Sequence, residues 1–200
     1  FWVDINVAGT PVATLTPTTG PGTATPTSAP VTATPTATGV PPTATPTNTS
    51  VPGGGLLFQN SKYGFAFQLP AGAVIASQSD NSGRVDLPIA PGTNLREKYI
   101  AVSVIEGGST CKSPYTNPMA SSQYVTINGI QFYKESSSEG ALSNLYDWTA
   151  YSTVKGNACI SLTFILHSIN PGVYPTPPAL FDAAAESAVF STIMSSYGNQ

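Results

Sequence analysis

Hydrophobic and polar residues alternate through most of the chain after residue 56, and this alternation predicts a sheet. Aromatic residues occupy every second position at 63–67, Leu69 continues the alternation, and the run ends at Pro70, which has no backbone N–H to donate to a neighbouring strand. At 99–105 the apolar residues again fall on one face, as they do on a strand with one buried side. Each run predicts one strand, and a short candidate lies at 84–87.

Two hairpins follow from the same alternation. Asn128 and Gly129 separate two alternating runs, and a two-residue type I′ turn needs positive φ at both central positions, which this pair tolerates. A second hairpin joins 145–154 to 158–167. Its second strand has Ile160, Leu162, Phe164 and Leu166 on one side, so we expect it to carry the most continuous buried face in the chain.

The hydrophobic period changes near the end of the chain. Within 178–197 apolar residues recur every three or four positions, with Pro178 near the start and Gly198 after the end. Asp182 and Glu186 lie toward the start, where the helix dipole favours negative charge. This pattern predicts a C-terminal helix that packs on the sheet.

The first 55 residues follow neither pattern as a whole. Residues 1–7 alternate like a strand, whereas 9–55 contain 16 Thr and 10 Pro and no charged or aromatic residue. Such a composition buries too little to offset about 1 to 2 kcal/mol of backbone entropy per residue. We therefore predict a strand-like end of a truncated upstream region at 1–8, a disordered linker at 9–55 and one globular domain at 56–200.

Charge and hydropathy exclude some classes of function. The predicted domain carries all seven Lys and Arg and nine of the ten Asp and Glu, so its net charge is −2, and no basic stripe is present. We expect no nucleic-acid partner. No uninterrupted apolar run is long enough to span a bilayer, so we expect membrane attachment only through sequence upstream of Phe1.

The two cysteines indicate an oxidising compartment. Cys111 and Cys159 lie far apart, and neither has a second Cys or a His at zinc-ligand spacing. A disulfide is the simpler interpretation, and two separately buried thiols are the alternative. By the chain-entropy treatment, closing a loop of this length contributes about 3 to 4 kcal/mol. The bridge would fix the loop after 99–105 to the second hairpin.

The order of these elements resembles the PsbP-like superfamily over about residues 57–197. The resemblance depends on the aromatic strand closed by Pro70, the Asn128–Gly129 hairpin and the final helix with Phe190 and Ile193. It implies an α+β fold, a mixed and mainly antiparallel sheet with the C-terminal helix packed on it as a PsbP-like sandwich. The chain departs from the family at 71–95, where a helix would be expected and the sequence is rich in Gly, Pro and Ser.

The resemblance also carries an expectation about function. The superfamily includes the extrinsic protein of the oxygen-evolving photosystem and bacterial lipoproteins, and it has no shared catalytic motif. It therefore implies binding or scaffolding, by analogy of fold alone. His167 is the only histidine, and a hydrolase needs a nucleophile, a base and an orienting group together. We assign no catalytic residue, no cofactor and no metal ligand.

Aromatic residues are the more informative candidates for a binding surface. Tyr146 and Trp148 share one face of the strand at 145–154, and exposed rings bind sugars or proteins because they give large contact area at low entropic cost. With His167 at a strand end, they form the candidate ligand surface, although we expect most rings to be core. Further tyrosines lie in or near the preceding loop and hairpin: Tyr115, Tyr124 and Tyr133.

These observations favour a non-enzymatic, exported, lipoprotein-like domain that is displayed at the cell envelope and binds an unidentified protein or glycan. Two alternatives stay open. One is an extracellular hydrolase or carbohydrate-binding accessory domain, which requires Tyr146 and Trp148 to line an open groove. The other is a structural adhesin subunit in which residues 1–7 act as a donor strand for a neighbouring molecule.

Overall fold

A computed structural model of the chain describes residues 49–50, 55–107, 110–117 and 120–200. The predicted strand-like end at 1–8 lies outside the described residues, and so does nearly all of the predicted linker at 9–55. Within that linker, Thr49–Ser50 form a short strand, β1, which pairs with β2 (Leu56–Asn60). The division of the first 55 residues stays a prediction.

The described residues form two sheets and one α-helix. The remaining strands are β3 (Phe65–Leu69), β4 (Val74–Gln78), β5 (Ser82–Asp86), β6 (Leu95–Glu106), β7 (Ser121–Ile127), β8 (Ile130–Ala141), β9 (Asn144–Lys155), β10 (Ala158–Ile169) and β11 (Gly198–Asn199). The small sheet has the order β1-β2-β3-β11, and the large sheet has the order β4-β5-β6-β10-β9-β8-β7. The helix α1 is Ala183–Ser195, and a short 3₁₀ turn, Pro171–Val173, precedes it.

The protein therefore has a sheet-rich α+β fold, as the alternation and the C-terminal period predict. Every pairing between named strands is antiparallel. The parallel component expected of a mixed sheet is limited, in the described part of the chain, to one isolated bridge between Thr93 and Ala179.

Both predicted hairpins are present in the large sheet. Asn128 (φ 50°) and Gly129 (φ 76°) form the turn between β7 and β8 with the positive φ values of a type I′ turn. Asn128 has a second contact, because its Nδ2 donates to the carbonyl oxygens of Ser195 at 2.7 Å and Tyr197 at 3.0 Å, at the end of α1. Gly156 (φ 59°) lies in the turn between β9 and β10.

The centre of the large sheet is β10. It pairs with β6 along one edge and with β9 along the other. All its residues are buried except the half-buried His167. Its apolar side chains Ile160, Leu162, Phe164 and Leu166 face the main core, which confirms the predicted buried strand. We call the side of the sheet that carries them the inner face.

The small sheet and α1 cover the inner face. Phe58 and Phe67 of the small sheet stack with centroids 4.8 Å apart, and Phe190 of α1 stacks on Phe164 of β10 at 4.4 Å. All four rings belong to one core cluster. Because burying such a side chain contributes about 1.5 to 3 kcal/mol, these aromatic contacts join the two layers.

The helix starts later than its apolar spacing predicts. Asn94, 2% exposed, accepts a hydrogen bond from the N–H of Phe181 at 2.9 Å and donates Nδ2 to the carbonyl oxygen of Ile169 at 3.0 Å. This holds the chain extended ahead of the helix. Asp182 then caps α1, accepting from the N–H groups of Ala184 and Ala185 at 2.9 and 3.0 Å.

A buried ion pair fixes α1 to the large sheet. Lys98 Nζ of β6 lies 2.6 Å from Glu186 Oε2 in the first turn of the helix, and the two side chains are 5% and 11% exposed. Glu186 is thus close to the positive end of the helix dipole as well as to a lysine.

We expect Glu186→Ala to lower the free energy of unfolding by about 3 to 5 kcal/mol, because Lys98 would stay buried without a counter-charge. The double variant Lys98→Met/Glu186→Leu should recover most of this loss, since neither charge is then buried. Urea unfolding followed by circular dichroism measures both. Equal losses in the single and double variants would contradict this account.

Candidate functional site

The connection from β6 to β7 crosses the outer face of the large sheet, which is the side opposite the main core. Three strands separate β6 from β7, and the intervening antiparallel pairings make these two strands parallel. Parallel strands need a crossover connection. Segment 107–120 provides it, and we call it the crossover loop. The structure describes 107, 110–117 and 120 of this loop.

Covalent and polar contacts fix the crossover loop to the strands beneath it. A disulfide joins Cys111 of the loop to Cys159 of β10, with Cα atoms 5.1 Å apart, as the sequence predicts. Further along, the buried Ser113 donates its N–H to Glu135 Oε2 at 2.9 Å, and its Oγ lies 3.3 Å from Thr163 Oγ1. The loop is therefore held at two points on β10 and one on β8.

The crossover loop covers Trp148. The Tyr115 ring lies 6.3 Å from the Trp148 ring, which is 4% exposed. Trp148, Ala150 and Ile165 form a small apolar cluster on the outer face, separate from the main core. Trp148 is thus packed in a core cluster and is not part of an exposed ligand surface.

Tyr146 and His167 lie side by side toward one end of the outer face. They pair across β9 and β10, and their rings stack with centroids 4.4 Å apart and planes at 8°. His167 Nδ1 is 3.0 Å from Glu97 Oε2, and Nε2 is 2.8 Å from Asn144 Oδ1. Tyr146 is 37% exposed. The structure thus places Tyr146, Trp148 and His167 on one face, where the Tyr146 ring is partly exposed and the Trp148 ring is buried.

An open groove lies elsewhere on the outer face, beside the disulfide. Its volume is about 630 Å³, and we call it the tyrosine groove. Side chains of the crossover loop, β7, β8 and β9 line it, among them Thr110, Lys112, Tyr124, Gln131, Tyr133 and Val154. The disulfide itself contributes through Cys111.

Two tyrosines form the aromatic wall of this groove. Tyr124 of β7 and Tyr133 of β8 are directly opposite each other, with ring centroids 5.1 Å apart. Tyr124 is 68% exposed. Lys112 Nζ lies 5.3 Å from the centroid of the Tyr133 ring, within cation–π range. The groove therefore combines an exposed aromatic surface with a cation and polar side chains.

Sequence reasoning named these tyrosines without placing them in a site. Tyr124 and Tyr133 are equally far from the Asn128–Gly129 turn, and a two-residue hairpin pairs such residues. The pairing of the two tyrosines can therefore be predicted from the sequence. The contact of Lys112 with Tyr133 cannot, because it depends on where the crossover loop crosses the sheet.

Tyr99 lies near the covered part of the outer face, on β6. Burial raises the pKa of Tyr99 from 10.0 to about 12, and a hydrogen bond to Tyr115 acts in the same direction. The guanidinium of Arg84, 3.8 Å from the Tyr99 ring centroid, opposes the shift. The phenol is thus stabilised in its neutral form.

Comparisons with known proteins give a likeness but no function. No protein-family model matches the chain, and no curated protein matches it. A crystal structure of a Bacteroides thetaiotaomicron protein is similar over 74% of this chain and 49% of that chain, with 13% sequence identity and a TM-score of 0.46. The chain thus spans about half the length of that protein.

No helix among the described residues is both long enough and apolar enough to cross a bilayer. In the same part of the chain, no group of three His, Cys, Asp or Glu side chains is arranged to hold a metal ion.

Removing the disulfide should destabilise the domain and loosen the crossover loop. We expect Cys111→Ser/Cys159→Ser to lower the free energy of unfolding by about 3 to 4 kcal/mol. In a Trp2→Phe background Trp148 is the remaining tryptophan, so acrylamide quenching of its fluorescence should increase when the loop is released. Unchanged quenching would show that the Ser113 contacts hold the loop without the bridge.

Raising the pH should reveal the shifted phenol. Between pH 10 and about 12 the folded protein keeps the Tyr99 proton that the unfolded chain releases, so the free energy of unfolding should fall as the pH rises. Tyr99→Phe should make this fall smaller, and Tyr146→Phe serves as a control. Urea unfolding at about pH 9 and about pH 11 measures the difference. The same fall in Tyr99→Phe and in the unmodified protein would contradict the assignment.

Proposed function

We propose that this chain is a non-enzymatic, exported binding domain and that it binds a glycan in the tyrosine groove. The observation that carries the proposal is the exposed wall formed by Tyr124 and Tyr133 beside an open volume of about 630 Å³. A sugar ring presents C–H groups on its faces and hydroxyl groups at its rim. An aromatic side chain provides apolar contact for the faces, and polar side chains such as Gln131 are suited to the hydroxyls.

Display at the cell envelope is part of the same proposal. The disulfide between Cys111 and Cys159 is compatible with an oxidising compartment outside the cytosol. The composition of residues 9–55 is that of an extended spacer, which would hold the groove away from its point of attachment. A lipoprotein-like attachment and membership of the PsbP-like superfamily are hypotheses within this proposal.

Binding without catalysis agrees best with the arrangement of the polar residues. His167 is held by Glu97 and Asn144 and stacks on Tyr146, which favours a structural role. Glycoside hydrolysis uses a pair of carboxyl groups that flank the bond to be broken. Among the described residues that line the groove, the charged one is Lys112.

Truncating the aromatic wall should weaken glycan binding. Affinity electrophoresis in gels that contain soluble β-glucan, xylan, mannan or polygalacturonate measures retardation of the folded protein. We expect at least one polysaccharide to retard it, and Tyr124→Ala to weaken that binding about tenfold, because the exposed ring gives most of the apolar contact.

The matched control is Tyr146→Ala, which removes a partly exposed tyrosine of the outer face away from the groove. Circular dichroism confirms that each variant is folded. The proposal fails if none of the polysaccharides retards the protein, or if Tyr146→Ala reduces retardation as much as Tyr124→Ala does.

A further inference from the structure

Lys112 brings a positive charge into the tyrosine groove, and this charge forms no ion pair with the described residues. No described Asp or Glu lies within ion-pair distance of its Nζ. Glu135, two positions after Tyr133 on β8, accepts the N–H of Ser113 instead. By contrast, Lys98 pairs with Glu186, and Arg84 pairs with Asp86 and Glu97.

Two contacts place this ammonium group beside the aromatic wall. Lys112 directly follows Cys111, so the disulfide fixes its backbone over the start of β10. Its side chain extends to the Tyr133 ring, with Nζ 5.3 Å from the centroid. The charge therefore lies at the aromatic wall, whose other ring is the exposed Tyr124.

A carboxylate is the ligand group that this arrangement fits. A hydrogen bond between an ammonium and a carboxylate is about twice as strong as one between neutral groups, and the exposed Lys112 side chain is open to such a ligand. The domain has a net charge of −2, so long-range attraction does not draw polyanions to it. Selection of an acidic ligand would depend on the local contact.

We propose that the groove recognises an acidic glycan, in which the carboxylate of a uronic acid residue pairs with Lys112 while its sugar ring packs on Tyr124. This inference rests on the proposed function, because it requires a glycan in the groove. It names a chemical class of ligand that the aromatic wall alone does not select.

The experiment compares each acidic ligand with its uncharged methyl ester. Short oligomers of galacturonate, mannuronate and glucuronate are titrated into the protein in a calorimeter. The methyl ester of each oligomer is titrated in the same way. We expect the protein to bind at least one acidic oligomer about tenfold more tightly than its ester, and this ratio of affinities to fall as the salt concentration rises from about 20 mM to about 500 mM.

Lys112→Gln should bring the ratio of affinities close to one, whereas Lys112→Arg should keep it. Lys134→Gln, a lysine on the opposite face of β8, is the matched control.

The results separate this inference from the proposed function. If acids and esters bind equally and Tyr124→Ala weakens both, the groove binds glycans without selecting a carboxylate, and the inference is overturned alone. A preference for acid that persists in Lys112→Gln, or that Lys134→Gln also removes, overturns it too. If no oligomer binds and no polysaccharide retards the protein, both proposals fail.

Discussion

Strand β10 is paired along both edges and buried on both faces, so the protein has to cover it on each side. On the inner face the cover is conventional: a helix and a small sheet supply aromatic side chains, and the Lys98–Glu186 pair fixes the helix in place. On the outer face there is no second layer of regular structure in the described residues. The crossover loop has that role, and the arrangement of the outer face follows from its path.

A helix usually makes such a crossover, because its apolar stripe packs on the sheet. The crossover loop consists largely of small and polar residues and provides little apolar area of its own, apart from Tyr115 over Trp148. The covalent bond at Cys111 and the buried hydroxyl of Ser113 compensate for this. Since Cys111 and its neighbour Lys112 also line the tyrosine groove, the bond that secures the cover also shapes the site.

The sequence is informative where a side-chain period reports local burial. Alternation predicts β6 and β10 because their inner faces are apolar, and Asn128–Gly129 predicts a turn because few residues tolerate positive φ. It is silent about β4, an edge strand with three of its five residues exposed and thus without a clear apolar face. The start of α1 cannot be predicted from its apolar spacing either. Asn94, which is distant in the sequence, accepts a hydrogen bond from Phe181 and keeps that residue extended.

The candidate site shows the same limit. Trp148 is buried by a loop whose route only the strand order reveals, and Lys112 reaches Tyr133 for the same reason. The cysteine pair was predictable, because two cysteines without metal-ligand spacing leave few other interpretations. Residues whose role depends on which strands lie between β6 and β7 could not be assigned from periodicity.

Asn128 contacts the end of α1, and the next residue, Gly129, lines the tyrosine groove. A chemical change at Asn128 would therefore affect both. An Asn followed by Gly is the pair that loses its side-chain amide most readily, because the unhindered backbone nitrogen of the glycine attacks it. Deamidation would replace the Nδ2 donor with a carboxylate facing the carbonyl oxygens of Ser195 and Tyr197. The helix end would then be repelled from the turn, and Gly129, which lines the tyrosine groove, belongs to that turn. Slow chemical change of the protein would therefore begin at this turn.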